Sequence, residues 1–174
     1  IVGPTSLTHQ KDLKIKKIVT ANEMFEEVKK LLPVDIAICA AAVSDYKPLK
    51  KSKNKLKKEY KDKKEIKVEK NIDILEYLGK NNKHRPKLVV GFSAETENIS
   101  RNSLLKMRKK NCDLMIANDV SKNDVGFNSE YNKVSIIDSN GKMKIVKKNK
   151  KSFIANKIAE VILNKLFVDD RNFN

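Results

Sequence analysis

A chain of 174 residues that is 40% hydrophobic can bury one core and has too little apolar material for two, so a single domain over 1–174 is expected. The formal charge of +16 directs attention to polyanions, yet the lysines run along the whole chain, arginine appears four times and aromatic residues make up 6%. Base stacking and guanine readout need aromatics and arginine, which disfavours nucleic acid as the partner and favours anionic small molecules. No stretch approaches the roughly 20 apolar residues of a membrane span, and no signal-peptide pattern opens the chain, which therefore reads as soluble and intracellular. Cys39 and Cys112 sit inside apolar runs and His9 and His84 in unrelated settings, so neither a disulfide nor a structural metal site is expected.

The opening "IVGP", which has no initiator methionine, reads as the last residues of a strand followed by a turn. "LKIKKIV" (13–19) alternates as a short strand does, and Thr20-Ala21-Asn22-Glu23 is a capping box. Behind it Met24, Phe25, Val28, Leu31 and Leu32 make an apolar helical stripe that Pro33 stops. "VDIAICAAAV" (34–43) is nearly continuous in its apolar character, the pattern of a parallel strand covered on both faces. Residues 47–70 then carry twelve lysines against four acids and read as a long cationic loop with a short strand at its end. "NIDILEYLGK" (71–80) predicts a short helix capped by Asn71 and closed by Gly79, and "KLVVGFSAE" (87–95) a second buried strand. A helix over "NISRNSLLKMRKKN", a third strand "CDLMIAN" and a polar loop over 119–132 follow. "KVSIID" and "KMKIVKK" flank Ser139-Asn140-Gly141, a strong hairpin signal, and "KSFIANKIAEVILNKLF" is a helix with a wide apolar face from Phe153 to Leu166. Strands alternating with helices mean an α/β sheet with helices on both faces.

Ligands of open α/β sheets bind beyond the carboxyl ends of the strands. Three strand ends, "CAAAVSDY", "GFSAET" and "IANDV", each run from apolar residues to Ala or Ser and then to a carboxylate or amide. Small side chains let backbone groups approach a flat ring or a phosphate closely, so the three tips imply one shared crevice. The lysines of "KSKNKLKK" are placed to fold over a bound polyanion. The chain contains neither G-x-G-x-x-G nor G-x-x-x-x-G-K-[ST], which leaves a dinucleotide fold or P-loop without support.

"AAAVSDYKP", Lys55-Leu56-Lys57-Lys58, "KNIDIL", "VVGFSAET", "KMRKKNCDLMIANDVS" and "GFNSEYN" follow one another in order. Together they resemble the phosphopantothenoylcysteine synthetase family, the second activity of the bacterial bifunctional coenzyme A flavoprotein, from Ile1 to about Leu166. The resemblance implies a Rossmann-like open, mainly parallel sheet with helices on both faces and a C-terminal β-hairpin, a homodimer, and a cytoplasmic location. It implies a ligase that joins 4′-phosphopantothenate to L-cysteine through an acyl-cytidylate, with CTP as substrate and Mg²⁺ as its cation. FMN would belong only to a decarboxylase domain fused upstream.

By the same resemblance Lys55 is the catalytic contact to the triphosphate and Asp45 an acidic residue of the nucleotide site, while Ala41 and Ala42 allow close backbone approach. Asn71, Ile72, Asp73 and Ile74 match a nucleotide-binding stretch written Asn-Pro-Asp-Ile in the family, with Ile72 in place of proline. Phe92 matches an aromatic at the base, Lys106 and Lys110 match lysines facing the nucleotide, and Asn118 and Asn128 order the loops around it. The family's Gly-rich first strand-to-helix unit has no counterpart here, so the chain reads as the carboxyl-terminal three-quarters of the domain, a piece that on its own would lack part of the site. Two readings of other classes stand beside this one: a basic nucleic-acid-binding module, whose affinity would fall steeply with salt, and a nicotinamide-dependent oxidoreductase, which the missing glycine fingerprint disfavours.

Overall fold

The computed structural model describes residues 1–5, 12–50, 65–81, 83–120 and 129–171. In chain order the elements are α1 (Ala21–Leu31), β1 (Ile36–Cys39), β2 (Tyr46–Pro48), β3 (Val68–Lys70), α2 (Ile74–Lys80), β4 (Leu88–Glu95), α3 (Ile99–Lys110), β5 (Leu114–Asp119), β6 (Tyr131–Asp138), β7 (Met143–Lys150) and α4 (Lys151–Arg171). They fall into two compact units, one of residues 1–31 and 41–73, the other of residues 32–40 and 74–174.

In the first unit the capping box forms as its sequence requires. The Glu23 amide donates to Thr20 Oγ1 at 3.2 Å, and Glu23 Oε2 accepts from the Val19 and Thr20 amides at 2.8 and 3.3 Å. α1 runs to Leu31, two residues before Pro33, and buries Met24, but Leu31 is exposed, so the stripe is narrower than its spacing suggested. Among the described residues the expected strand over 13–19 is reduced to one parallel bridge between Val2 and Lys17. Val2 uses both of its backbone groups, donating to the Lys16 carbonyl at 2.8 Å and accepting from the Ile18 amide at 3.0 Å, and the ladder goes no further. β2 and β3 pair antiparallel, Tyr46 opposite Lys70 and Pro48 opposite Val68.

The second unit is built on a five-stranded sheet in the order β1-β4-β5-β6-β7. β4 lies parallel to β1 and β5, while β5, β6 and β7 run antiparallel. The β6–β7 turn is closed by the Gly141 amide donating to the Asp138 carbonyl at 2.9 Å, with Gly141 at φ 81°, a conformation only glycine adopts freely. One face of the sheet, with Leu88, Val90, Ile116 and Val134, is covered by Ile154, Ile158 and Ile162 of α4. These three recur every four residues and form one line along the helix. Phe153 and Leu163, read from sequence as part of the same face, are exposed because they fall to its sides. The other face, with Val89, Met115 and Ile137, is covered by α2 and α3. Helices on both faces of an open sheet and a terminal hairpin make this the Rossmann-like α/β class.

Three expectations differ from the structure. The strand at 34–43 is not covered on both faces: β1 has four residues, pairs only with β4 among the described residues, and leaves Ile38 54% exposed. A continuous apolar run does not by itself say which neighbours a strand pairs with. Gly79 does not close α2 but lies buried within it, because an added Cβ would run into the carbonyl oxygens of Lys110 and Asn111 at the end of α3. Asn71 likewise stands three residues before α2 and caps nothing there. It holds the loop of Ser44 and Asp45 instead.

Candidate active site

In the first unit, residues 44–46 and 71 form a clasp. Asn71 donates from its amide to the Asp45 carbonyl and from Nδ2 to the Ser44 carbonyl, both at 2.8 Å, while Ser44 Oγ donates to the Tyr46 carbonyl at 2.8 Å. The clasp holds the loop after Ala41 and Ala42 to the end of β3 and leaves the Asp45 side chain exposed. Asn71 Oδ1 is buried without a donor. Lys47 anchors β2 to Glu69 at 3.5 Å and to Asn22 Oδ1 at 3.4 Å. Ile72 is 43% exposed. Asp73 ends this unit, whereas the adjoining Ile74 is buried at the start of α2.

In the second unit the ends of β4 and β5 stand side by side, Ala94 opposite Asn118 and Glu95 opposite Asp119, and the Val120 amide donates to the Glu95 carbonyl at 3.0 Å. β1 stops earlier, with Cys39 opposite Gly91. Because β-strand side chains alternate, Phe92 and Asn118 emerge on the α4 face and line a cavity of about 350 Å³ with Ile38, Asn132 and Val134. Asn118 donates from Nδ2 to the Ser93 carbonyl at 3.0 Å and accepts at Oδ1 from Asn132 Nδ2 at 2.7 Å, which ties three strands together near the carboxyl ends of β4 and β5.

The α3 face carries charge. Glu95 is buried and pairs with Lys106 at 2.8 Å; Asp119 pairs with Lys133 at 3.3 Å. Lys110 sits 3.5 Å from Glu76 of α2, a carboxylate held below its ordinary range first by its hydrogen bond from Lys80. Ser93 and Ser103 share a buried hydroxyl–hydroxyl hydrogen bond of 3.1 Å between β4 and α3.

Of the residues singled out from sequence, the structure joins Asp45 to Asn71 in one unit and Phe92 to Asn118 in the other. Lys106 and Lys110 sit on different carboxylates, and Lys55 and Asn128 lie outside the described residues. Glu95 and Asn132 were not singled out. Glu95 carried a signal, a carboxylate terminating a buried strand, but its partner could be named only once α3 was in place. Among the described residues no three carboxylate, imidazole or thiol side chains stand together.

The profile of the DNA/pantothenate metabolism flavoprotein C-terminal domain family matches residues 1–166. The chain belongs to this family. It is 36% identical over 163 residues to the coenzyme A biosynthesis bifunctional protein CoaBC of Haemophilus influenzae, covering 93% of this chain and 40% of that protein. With the protein of the same name from Escherichia coli K12 it shares 34% over 175 residues, 99% of this chain and 42% of that one. The chain thus spans about two fifths of the length of these relatives. Among solved structures, the C-terminal domain of CoaBC superposes with a TM-score of 0.74 at 28% identity, covering 97% of this chain and 72% of that one. A DNA/pantothenate metabolism flavoprotein from Streptococcus pneumoniae shares the fold, with a TM-score of 0.68 at 19% identity over 95% of this chain and 78% of that one. The family and the six ordered motifs agree.

Proposed function

We propose that this member of the flavoprotein C-terminal domain family acts as a phosphopantothenate–cysteine ligase. The observation that carries the reading is the family match over residues 1–166, which takes in every strand end and lysine considered above. In the proposed reaction the carboxylate of 4′-phosphopantothenate attacks the α-phosphorus of CTP and pyrophosphate leaves. The cysteine amine then attacks the acyl carbonyl, CMP leaves, and the amine proton passes to solvent as the amide forms.

What such a reaction asks of a protein is mainly position and charge. A pyrophosphate leaving group gathers negative charge, which fixed cations stabilise best when they are already in place. Lys55 is proposed as the lysine that meets the triphosphate, with Lys106 and Lys110 as further cations. The clasp of Asn71 on Ser44 and Asp45 supports a rigid backbone edge for the nucleotide, next to the small Ala41 and Ala42. Ile72 and Asp73 complete that edge, and Ile74, buried at the start of α2, is the last residue of the same stretch. Phe92 offers an aromatic edge near the base, and Asn118, with Asn128, is proposed to order the neighbouring loops.

The described carboxylates do not make a protein-borne metal cage. Mg²⁺ is proposed to arrive with the nucleotide as part of the substrate, the usual state of a triphosphate. The working assembly is proposed to be a cytoplasmic homodimer. β7, an edge strand with Met143 and Ile145 exposed, is the surface that supports it.

Pyrophosphate release tests the function. Release that requires both CTP and 4′-phosphopantothenate, with amide appearing only on addition of cysteine, is the expected result. Release that ignores the identity of the acid, or that ATP supports as well as CTP, would overturn the acid or the nucleotide assignment respectively.

A further inference from the structure

We propose that Glu95 is a positioning residue that fixes the ammonium of Lys106 at the ligand-facing end of the sheet, and so sets the affinity for the nucleotide's phosphates. The inference rests on the nucleotide reading above.

Glu95 is the last residue of β4 and its side chain is only 7% exposed, whereas that of Lys106, eleven residues on in α3, is 49% exposed. The two meet at 2.8 Å through Oε1, and apart from this ion pair Oε1 has no hydrogen-bond donor. A buried carboxylate is tolerated only where a cation compensates it, so Lys106 is bound to this spot rather than swinging freely on its four-carbon stem. An ammonium carries three donors, and half of this lysine's surface still faces solvent, which leaves protons available to an arriving anion.

A stabilising role alone explains the pair poorly. Partly buried ion pairs add little net stability, and an apolar pair would fill the same space as well. Location explains it better. Glu95 lies opposite Asp119 in the sheet register, and Asp119 holds Lys133 at 3.3 Å. Two neighbouring strand ends thus each hold a lysine by a carboxylate, at the end of the parallel strands where open α/β sheets take their ligands. The strand tips act as mounts for positive charge.

The experiment is a double-mutant cycle read by calorimetric titration with CTP and Mg²⁺, and with cytidine as a ligand without phosphate. Glu95→Gln and Lys106→Met are each expected to weaken CTP binding about tenfold, and the double variant to lose no more than either single change, since both remove one interaction. Cytidine affinity should stay the same in all variants, which a general loosening of the fold would not permit. Should Glu95→Gln fail to fold, Glu95→Asp, which keeps the charge but withdraws it by a methylene, carries the same test with the same expected loss. Unchanged CTP binding in the Glu95 variant, losses that add in the double variant, or an equal loss for cytidine would each overturn the proposal. Failure of the unaltered chain to bind CTP would instead remove the nucleotide reading beneath it.

Discussion

Gly79 shows how much a single residue can carry. Its hydrogen stands where any side chain would meet the Lys110 and Asn111 carbonyls, and the same corner is stitched by Arg85, which donates to the Gly79 and Asn111 carbonyls at 2.9 Å each and reaches both oxygens of Asp113. Gly79→Ala forces the two helices apart and is expected to destabilise the protein by about 1–3 kcal/mol, despite alanine's better helix propensity, as urea denaturation would measure. An unchanged midpoint would show that the corner yields. Cys39 makes a second prediction. Burial pushes its thiol up to about 11, and that of Cys112 likewise to about 11, first through burial and then through the charge of Asp113. A raised value means less thiolate at neutral pH, so iodoacetamide is expected to modify the folded chain roughly a hundredfold more slowly than a free cysteine of pKa ~8.5. The rate should climb about tenfold per pH unit up to about pH 10, and a plateau near pH 8 in a mass-spectrometric time course would contradict this.

At the scale of elements, the capping box and the hairpin turn were readable because their partners lie close in sequence. Thr20 and Glu23 cap α1 as a capping box must, and Asn140-Gly141 turns the hairpin. The face of a long helix is different, because its width depends on what it packs against. In α4 the line Ile154, Ile158 and Ile162 is buried while Leu163 remains 50% exposed. Ile158→Ala is therefore expected to cost about 2–4 kcal/mol and Leu163→Ala well under 1 kcal/mol, a contrast that thermal denaturation of the two variants would reveal. Equal losses would mean that the sheet meets a broader face of α4. β1 teaches the same lesson for strands. Its apolar run predicted a central strand, but a strand's place in the sheet depends on pairing partners that its own residues do not name.

For the molecule as a whole, the proposed chemistry depends on cations delivered to one nucleotide. Lys55 is the proposed catalytic one, and Lys55→Gln removes its charge while keeping most of its length. The variant is expected to slow acyl-cytidylate formation about a hundredfold in single-turnover pyrophosphate release, with cysteine transfer from preformed intermediate unaffected. Loss of both steps in equal measure would make Lys55 a general binding residue, and loss of neither would take it out of the mechanism.

The order of six motifs was enough to place the chain in its family, because such motifs are strings of adjacent residues, and the α/β class followed from alternating periodicities. The capping box and the hairpin turn were legible for a like reason, their hydrogen bonds spanning only a few residues. Only the tertiary structure could seat Glu95 on Lys106, close Asn71 over Ser44 and Asp45 across some two dozen residues, or set Gly79 against the end of α3. Those contacts depend on how the elements pack and on the crowding that packing brings, and neither is written in any one segment.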